Sequence, residues 1–108
     1  MVTIPIGTTE YGENYIKCSD GIMICWGNVS ITLETKGQVN GNTKISFPKT
    51  FNVVGHVSIT NAYSNTIRMM WSSSEVINTG FYAYFFTTAT LDAGSQAVAR
   101  WCAIGRWK

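Results

Sequence analysis

An apolar alternation with a period of two constrains the fold of this chain more than any other feature of its sequence. The clearest example is NVSITLE at residues 28–34, where Val29, Ile31 and Leu33 alternate with polar residues. Successive side chains of a β-strand point to opposite faces, so this stretch predicts a strand with one buried face. No stretch holds its apolar residues at a helical period for three turns, and turn-forming residues recur along the chain. These patterns predict an all-β fold, an antiparallel β-sandwich or barrel.

Further strands are predicted from the same alternation. A polar stretch, TKGQVNGNT at 35–43, separates the first segment from KISFPKTF at 44–51. Pro48 has no backbone N–H to donate to a ladder, so it marks a strand end or an edge. The remaining predicted strands lie at 56–60, 66–71, 80–86 and 97–105.

The length of 108 residues is that of a single domain with one core. Residues 1–12 are rich in Gly, Thr and Glu and include a proline, so we expect a linker there rather than a core element. Residues 13–108 then make up the β-sandwich domain.

Two predicted strands are apolar on both faces, GFYAYFF at 80–86 and AVARWCAIG at 97–105. A strand in a small sandwich needs one buried face, so a second apolar face needs another cover. Either a neighbouring subunit or a ligand supplies it. A subunit is favoured because obligate interfaces resemble a domain core cut in half. The composition agrees, since 45% of residues are hydrophobic and only 13% are charged.

Charge and cysteine content exclude two classes of protein. The net charge is +2 and no run of Lys or Arg occurs, so the basic surface of a nucleic-acid binder is missing. Three cysteines are too few, and odd in number, for a secreted disulfide framework. We therefore expect synthesis in a reducing cytoplasm.

The segment YIKCSDGIMICWG at 15–27 raises the question of a metal site or disulfide. A two-residue turn at Asp20 and Gly21 would place Cys18 and Cys25 on one face as diagonal neighbours, about 7–8 Å apart. That separation disfavours a disulfide, and the spacing is wrong for a zinc knuckle completed by Cys102 and His56. We expect three free thiols and neither a metal nor another cofactor.

Catalytic and binding residues are weighed by their context. The only histidine, His56, has no nucleophile motif beside it, and the six carboxylates fall mostly at turns or strand ends, so no enzymatic activity is expected. A sugar site needs exposed aromatic faces and a few fixed polar groups. An arginine is costly to bury without a partner, so Arg68 pairs with a carboxylate, points to water or serves a binding site. The candidate ligand-binding residues are Arg68, Asn61, Tyr63 and Tyr84.

Four segments in order carry a family resemblance: YIKCSDGIMICWG, ISFPKTF, GFYAYFF and ARWCAIGRW. Over about residues 11–107 the chain resembles the C-terminal domains of bacteriophage tail-fibre proteins. Its second half, from HVSITNAYSNTIRMMW onward, is also similar to the H-type lectin domains, six-stranded antiparallel sandwiches that trimerise and bind N-acetylgalactosamine-type sugars.

The resemblance implies a homotrimeric tip domain of a tail fibre, part of the virion and made in the host cytoplasm. Such a domain would recognise a bacterial surface glycan or outer-membrane protein, and residues 1–12 would join it to the fibre shaft. Arg68 occupies the place of the lectins' sugar-holding arginine, but TTATLD at 87–92 lacks their stacking aromatic residue. The alternative is a structural cap that trimerises and closes the fibre without contacting the receptor.

Overall fold

The structure, a computed structural model, describes residues 8–61, 69–88 and 90–108. In these residues the chain forms strands that assemble into two antiparallel sheets, so the predicted all-β fold is confirmed. No helix in this part of the chain is long and apolar enough to cross a membrane. The strands are β1 (Thr8–Gly12), β2 (Tyr15–Cys18), β3 (Ile22–Thr32), β4 (Asn40–Ser46), β5 (Val53–Asn61), β6 (Met69–Ile77), β7 (Gly80–Thr87) and β8 (Gln96–Arg106).

The two sheets differ in their number of strands and in how far apart along the sequence their paired strands lie. Sheet A has five strands in the order β1-β2-β3-β8-β5, and sheet B has three in the order β4-β7-β6. The last strand, β8, lies between β3 and β5, and its pairing brings Arg106 opposite Ile22. The described residues hold eight strands in total, two more than the lectin resemblance implies.

The strand boundaries confirm most of the predicted segments and correct three assignments. The strand predicted at 66–71 corresponds to β6, which continues to Ile77, and residues 66–68 lie outside the described residues. The sheet-B strand β4 ends at Ser46, before Pro48, as expected, but it begins at Asn40 within the polar stretch at 35–43. Residues 8–12, which we expected to belong to a linker, form β1 and pair with β2 along the edge of sheet A. The division into a linker and a tip domain stays a prediction.

The core lies between the inner faces of the two sheets. The rings of Phe47, Phe81 and Trp101 meet there, with centroids 5.5–5.8 Å apart, and Phe51 stands edge-on to Phe47 at 5.0 Å. Along β8 the inward side chains other than Trp101 are small, and these small side chains leave room for the rings of sheet B. They are Ala97, Ala99, Ala103 and Gly105.

The predicted register of the β2–β3 hairpin is wrong by one residue. Lys17 pairs with Met23, so the turn contains three residues, 19–21, rather than two. Gly21 adopts a φ of 101°, and the Asp20 carboxylate accepts a hydrogen bond from the Ile22 N–H at 3.1 Å. These features stabilise the longer turn, since glycine enters that region without steric cost and the Asp side chain replaces a backbone partner.

The corrected register puts the hairpin cysteines on opposite faces of sheet A. Cys25 is buried in the core, while Cys18 lies on the other face. All three cysteines are free, as predicted. The expected placement of Cys18 and Cys25 as diagonal neighbours on one face does not occur.

The sandwich has two distinct ends. At the turn end, β1 begins with Thr8 opposite Cys18, and the Trp107 N–H donates to the Gly21 carbonyl at 2.9 Å. At the loop end, β3, β5 and β7 end and β4, β6 and β8 begin. Hydrogen bonds tie the loops there, including one from Gly37 N–H to Leu91 O at 2.9 Å.

Candidate functional site

The outer face of sheet B carries an aromatic strand flanked by polar strands. Tyr84 of β7 lies between Asn42 of β4 and Ser72 of β6 in the strand register. One register step toward the loop end, Phe86 lies between Asn40 and Met70. The sheet therefore presents amides on one side and a hydroxyl and a thioether on the other, with aromatic rings in the middle.

These two rows line a groove of about 640 Å³ at the loop end of sheet B, which we call the outer groove. Phe86 is 43% exposed and Met70 61% exposed, so both offer apolar surface to a ligand. None of the described residues that line the groove carries a formal charge. Its chemistry is that of a neutral, partly apolar site with several hydrogen-bonding groups.

Gly41 lies in the floor of the groove, where its missing side chain makes room for the buried ring of Phe85. A Cβ at this position would stand 2.6 Å from Cε1 of Phe85, its partner across the β4–β7 ladder. The Phe85 ring is buried and packs against Trp71 with centroids 5.7 Å apart. The floor of the groove is thus part of the packed core, which keeps its shape fixed.

One of the four predicted ligand-binding residues, Tyr84, lines this groove. Asn61 of β5 is not part of the lining, but its Oδ1 accepts a hydrogen bond at 2.7 Å from Nε1 of Trp71, which is. Tyr63 and Arg68 lie outside the described residues, in the segment between Asn61 and Met69. That segment joins two strands whose ends both lie at the loop end.

Four polar residues of the groove are absent from the candidates chosen from the sequence, namely Asn40, Asn42, Ser72 and Ser74. The two asparagines belong to the polar stretch that precedes KISFPKTF. The signal was present, because Asn40, Asn42 and Lys44 alternate with Gly41 and Thr43 at the period of a strand. The polarity of these residues and the adjacent glycine concealed the strand pattern.

Two tryptophans near the C-terminus have structural positions. Trp101 is buried in the core. Trp107 donates its indole N–H to the Cys18 carbonyl at 2.8 Å, and the ammonium groups of Lys17 and Lys108 lie 5.0 and 5.1 Å from its ring centroid. This indole thus fastens the chain after β8 to the β2–β3 hairpin.

The outer face of sheet A is apolar in a different way. Its central feature is a line of directly paired residues across four strands, which we call the isoleucine row. Ile104 is 42% exposed, and Trp26 in the next row is 41% exposed. Exposed apolar surface of this kind makes the face a candidate for an interaction site. The isoleucine row consists of Tyr11, Ile16, Ile24 and Ile104.

The groups once considered as metal ligands do not converge. Cys25 faces the core, whereas Cys18, Cys102 and His56 lie on the outer face of sheet A. Burial raises the pKa of the Cys25 thiol to about 11, which keeps it protonated and inert. In the described part of the chain, no three His, Cys, Asp or Glu residues are placed to hold a metal ion.

One carboxylate has a defined structural partner set near the turn end. The Tyr15 hydroxyl donates to Glu10 at 2.6 Å, and the ammonium groups of Lys17 and Lys49 lie 4.0 and 3.8 Å away. The Tyr15 hydrogen bond, with the two lysines, lowers the pKa of Glu10. This carboxylate connects β1 to its neighbours.

Comparison with known proteins identifies the class to which this fold belongs. The chain is a member of the family described as putative tail fiber protein gp53-like, C-terminal, whose model matches residues 17–106. The predicted family is therefore confirmed, and membership makes the chain a tail-fibre domain and a virion component. The comparison with curated proteins gives no match.

Solved pyocin fibres have a similar fold. An N-truncated R1-type pyocin tail fibre matches with a TM-score of 0.72 and 22% identity over 94% of this chain and 86% of that one. The R1 pyocin fibre of P. aeruginosa, residues 323–701, matches with a TM-score of 0.65 and 21% identity over 84% of this chain. This chain spans only 25% of that fragment. An N-truncated R2-type fibre gives 0.59 and 18%, over 85% of this chain and 34% of that one.

Proposed function

We propose that this domain is the receptor-binding tip of a tail fibre, acting as a homotrimer without enzymatic activity. The observation that carries the proposal is the outer groove, a neutral aromatic and amide site at the loop end of sheet B. Its receptor would be a bacterial surface glycan or an outer-membrane protein.

The position of the groove supports this role. Because β1 begins at the turn end, a shaft joined through the residues before β1 would lie at that end. The loop end, and with it the groove, would then point away from the shaft and toward a cell surface. Loops on a rigid scaffold are where binding residues are usually found.

The two outer faces would divide the work between assembly and binding. The three isoleucines of the row are flanked by polar groups only at its ends, the Tyr11 hydroxyl on β1 and His56 opposite Ile104 on β5, so covering its middle with a second copy costs little desolvation. The outer groove of sheet B, by contrast, interleaves aromatic rings with amides and a hydroxyl, which suits a polar ligand. We therefore assign sheet A to subunit contacts and sheet B to the receptor.

Three copies would strengthen a weak single site. Once one site is bound, the other tethered sites bind at an effective concentration near millimolar, so avidity exceeds the affinity of any one site. A shallow groove then suffices for stable adsorption.

The experiment is adsorption of the purified, fluorescently labelled domain to a panel of bacterial strains, with its mass measured by light scattering. A trimer that adsorbs to particular strains supports the proposal. A domain that is monomeric at micromolar concentration and adsorbs to no strain of a sensitive host contradicts it.

A domain exchange between fibres separates the tip from a structural cap. Host range that moves with the domain supports the tip. Host range that stays with the shaft would assign the domain to trimerisation and closure of the fibre. Incubating the trimer with host polysaccharide tests the absence of enzymatic activity, and shorter products would refute it.

A further inference from the structure

We infer that the outer groove binds an uncharged sugar residue, with a C–H face of the sugar on Tyr84 and Phe86 and its hydroxyls on the flanking amides. This inference rests on the proposed function and gives its receptor a chemical class. It selects a surface glycan over an outer-membrane protein.

The layout of the groove matches the two kinds of surface that a sugar presents. The face of an aromatic ring is the negative pole of its quadrupole, so it attracts the positively polarised C–H groups of a pyranose. The amides of Asn40 and Asn42 each offer donors and an acceptor, and Ser72 offers a hydroxyl. These groups lie on both sides of the rings, within the reach of equatorial hydroxyls.

The lack of charge in the groove argues for a neutral sugar. The described lining contains no Lys, Arg, His, Asp or Glu, so an acidic sugar would lose hydration without gaining an ionic partner. A neutral sugar gives up only hydroxyl hydration, which the amides and the serine replace. The described part of the lining therefore favours a neutral sugar over uronic and sialic acids.

The position of the groove on the sheet argues against an extended peptide. Peptides that bind to sheets usually add a strand at an open edge, where backbone N–H and C=O groups are unpaired. Tyr84 lies on β7, whose backbone is already paired to β4 on one side and β6 on the other. At the rings of Tyr84 and Phe86 the groove thus offers a ligand side-chain groups only, which fits a sugar, and the open edges of sheet B lie to either side, at β4 and β6.

The chain provides a matched control for Tyr84. Tyr82 is on the same strand and the same face, is also half-buried, and its ring centroid is 6.4 Å from that of Tyr84. The groove is lined by Tyr84, whereas Tyr82 is not part of its lining. Replacing either tyrosine removes an equal area of ring from the outer face of sheet B.

The experiment measures sugar binding by ligand NMR for the unaltered protein and two variants, Tyr84→Ala and Tyr82→Ala. The neutral ligands are monovalent methyl glycosides of hexoses and deoxyhexoses. The acidic ligands are glucuronic acid and sialic acid. Circular dichroism and light scattering first establish that each variant is folded and trimeric. We expect a neutral glycoside to bind the unaltered protein and Tyr82→Ala alike. Tyr84→Ala should weaken that binding by about tenfold or more, equivalent to about 1.4 kcal/mol.

A second variant, Asn42→Ala, keeps the rings and removes an amide, so it should also weaken the neutral glycoside while remaining folded. Binding only of the acidic sugars, or equal loss in Tyr84→Ala and Tyr82→Ala, overturns the inference. Adsorption of the trimer to cells with no binding to any sugar overturns the inference while the receptor-binding function stands. Failure to adsorb removes both.

Discussion

Charge placed in the isoleucine row should dissociate the proposed trimer. Ile104 is 42% exposed in the single chain, and burying an isoleucine completely is worth about 1.5–3 kcal/mol, so covering its remaining surface contributes about 1 kcal/mol per copy. In Ile104→Glu this gain is lost, and desolvating the new carboxylate, which stands opposite His56 on β5, costs about 3 kcal/mol more. A loss of about 4 kcal/mol corresponds to about a thousandfold in each association constant.

Phe86→Glu is the matched control for this change. Phe86 is 43% exposed and lies on the outer face of sheet B, so it has almost the same accessibility on the opposite surface. Light scattering and sedimentation velocity at micromolar concentration should find monomers of Ile104→Glu and trimers of Phe86→Glu. The opposite result, with only Phe86→Glu dissociated, would refute the assignment of sheet A to subunit contacts.

Three further outcomes are expected. Arg68→Ala should reduce adsorption to host cells and leave the trimer intact; unchanged adsorption would remove Arg68 from the site. Thiol titration should find three reactive thiols in the denatured protein. In the native protein the Cys25 thiol should be the slowest to react, because burial raises its pKa to about 11. Rapid labelling of Cys25 in the native protein would contradict this. Trp107→Phe should lower the free energy of unfolding by about 1 kcal/mol, because the Cys18 carbonyl loses its hydrogen-bond donor. The melting temperature should fall by about 4 °C. An unchanged melting temperature would show that water replaces the indole.

The sequence predicted the features that depend on local alternation. The alternating faces of 80–86 correctly separated Phe85, which is buried, from Tyr84, which is on the outer face. Val29 and Leu33 are buried as their spacing predicted. Such patterns are readable because a strand with one buried face must repeat every two residues.

The errors came from contacts between residues distant in the sequence. Asp20 and Gly21 alone favour a two-residue turn, but the Arg106 guanidinium donates to the Asp20 carbonyl at 2.9 Å from 86 residues away. Likewise, the pairing of Asn40 with Phe86 makes a polar segment into a strand of the groove. Local propensity carries no information about either partner, so neither result was predictable from the segment itself.

The interior position of β8, between β3 and β5, sets the order in which the domain can mature. Of the strands in this domain, β8 is the last to leave the ribosome, yet both β3 and β5 pair with it. Until residues 96–106 emerge, β3 and β5 each present an open edge that invites aggregation or chaperone binding. A truncated chain lacks the strand that joins β5 to the rest of the larger sheet, so only chains translated through β8 can complete the fold and enter a fibre.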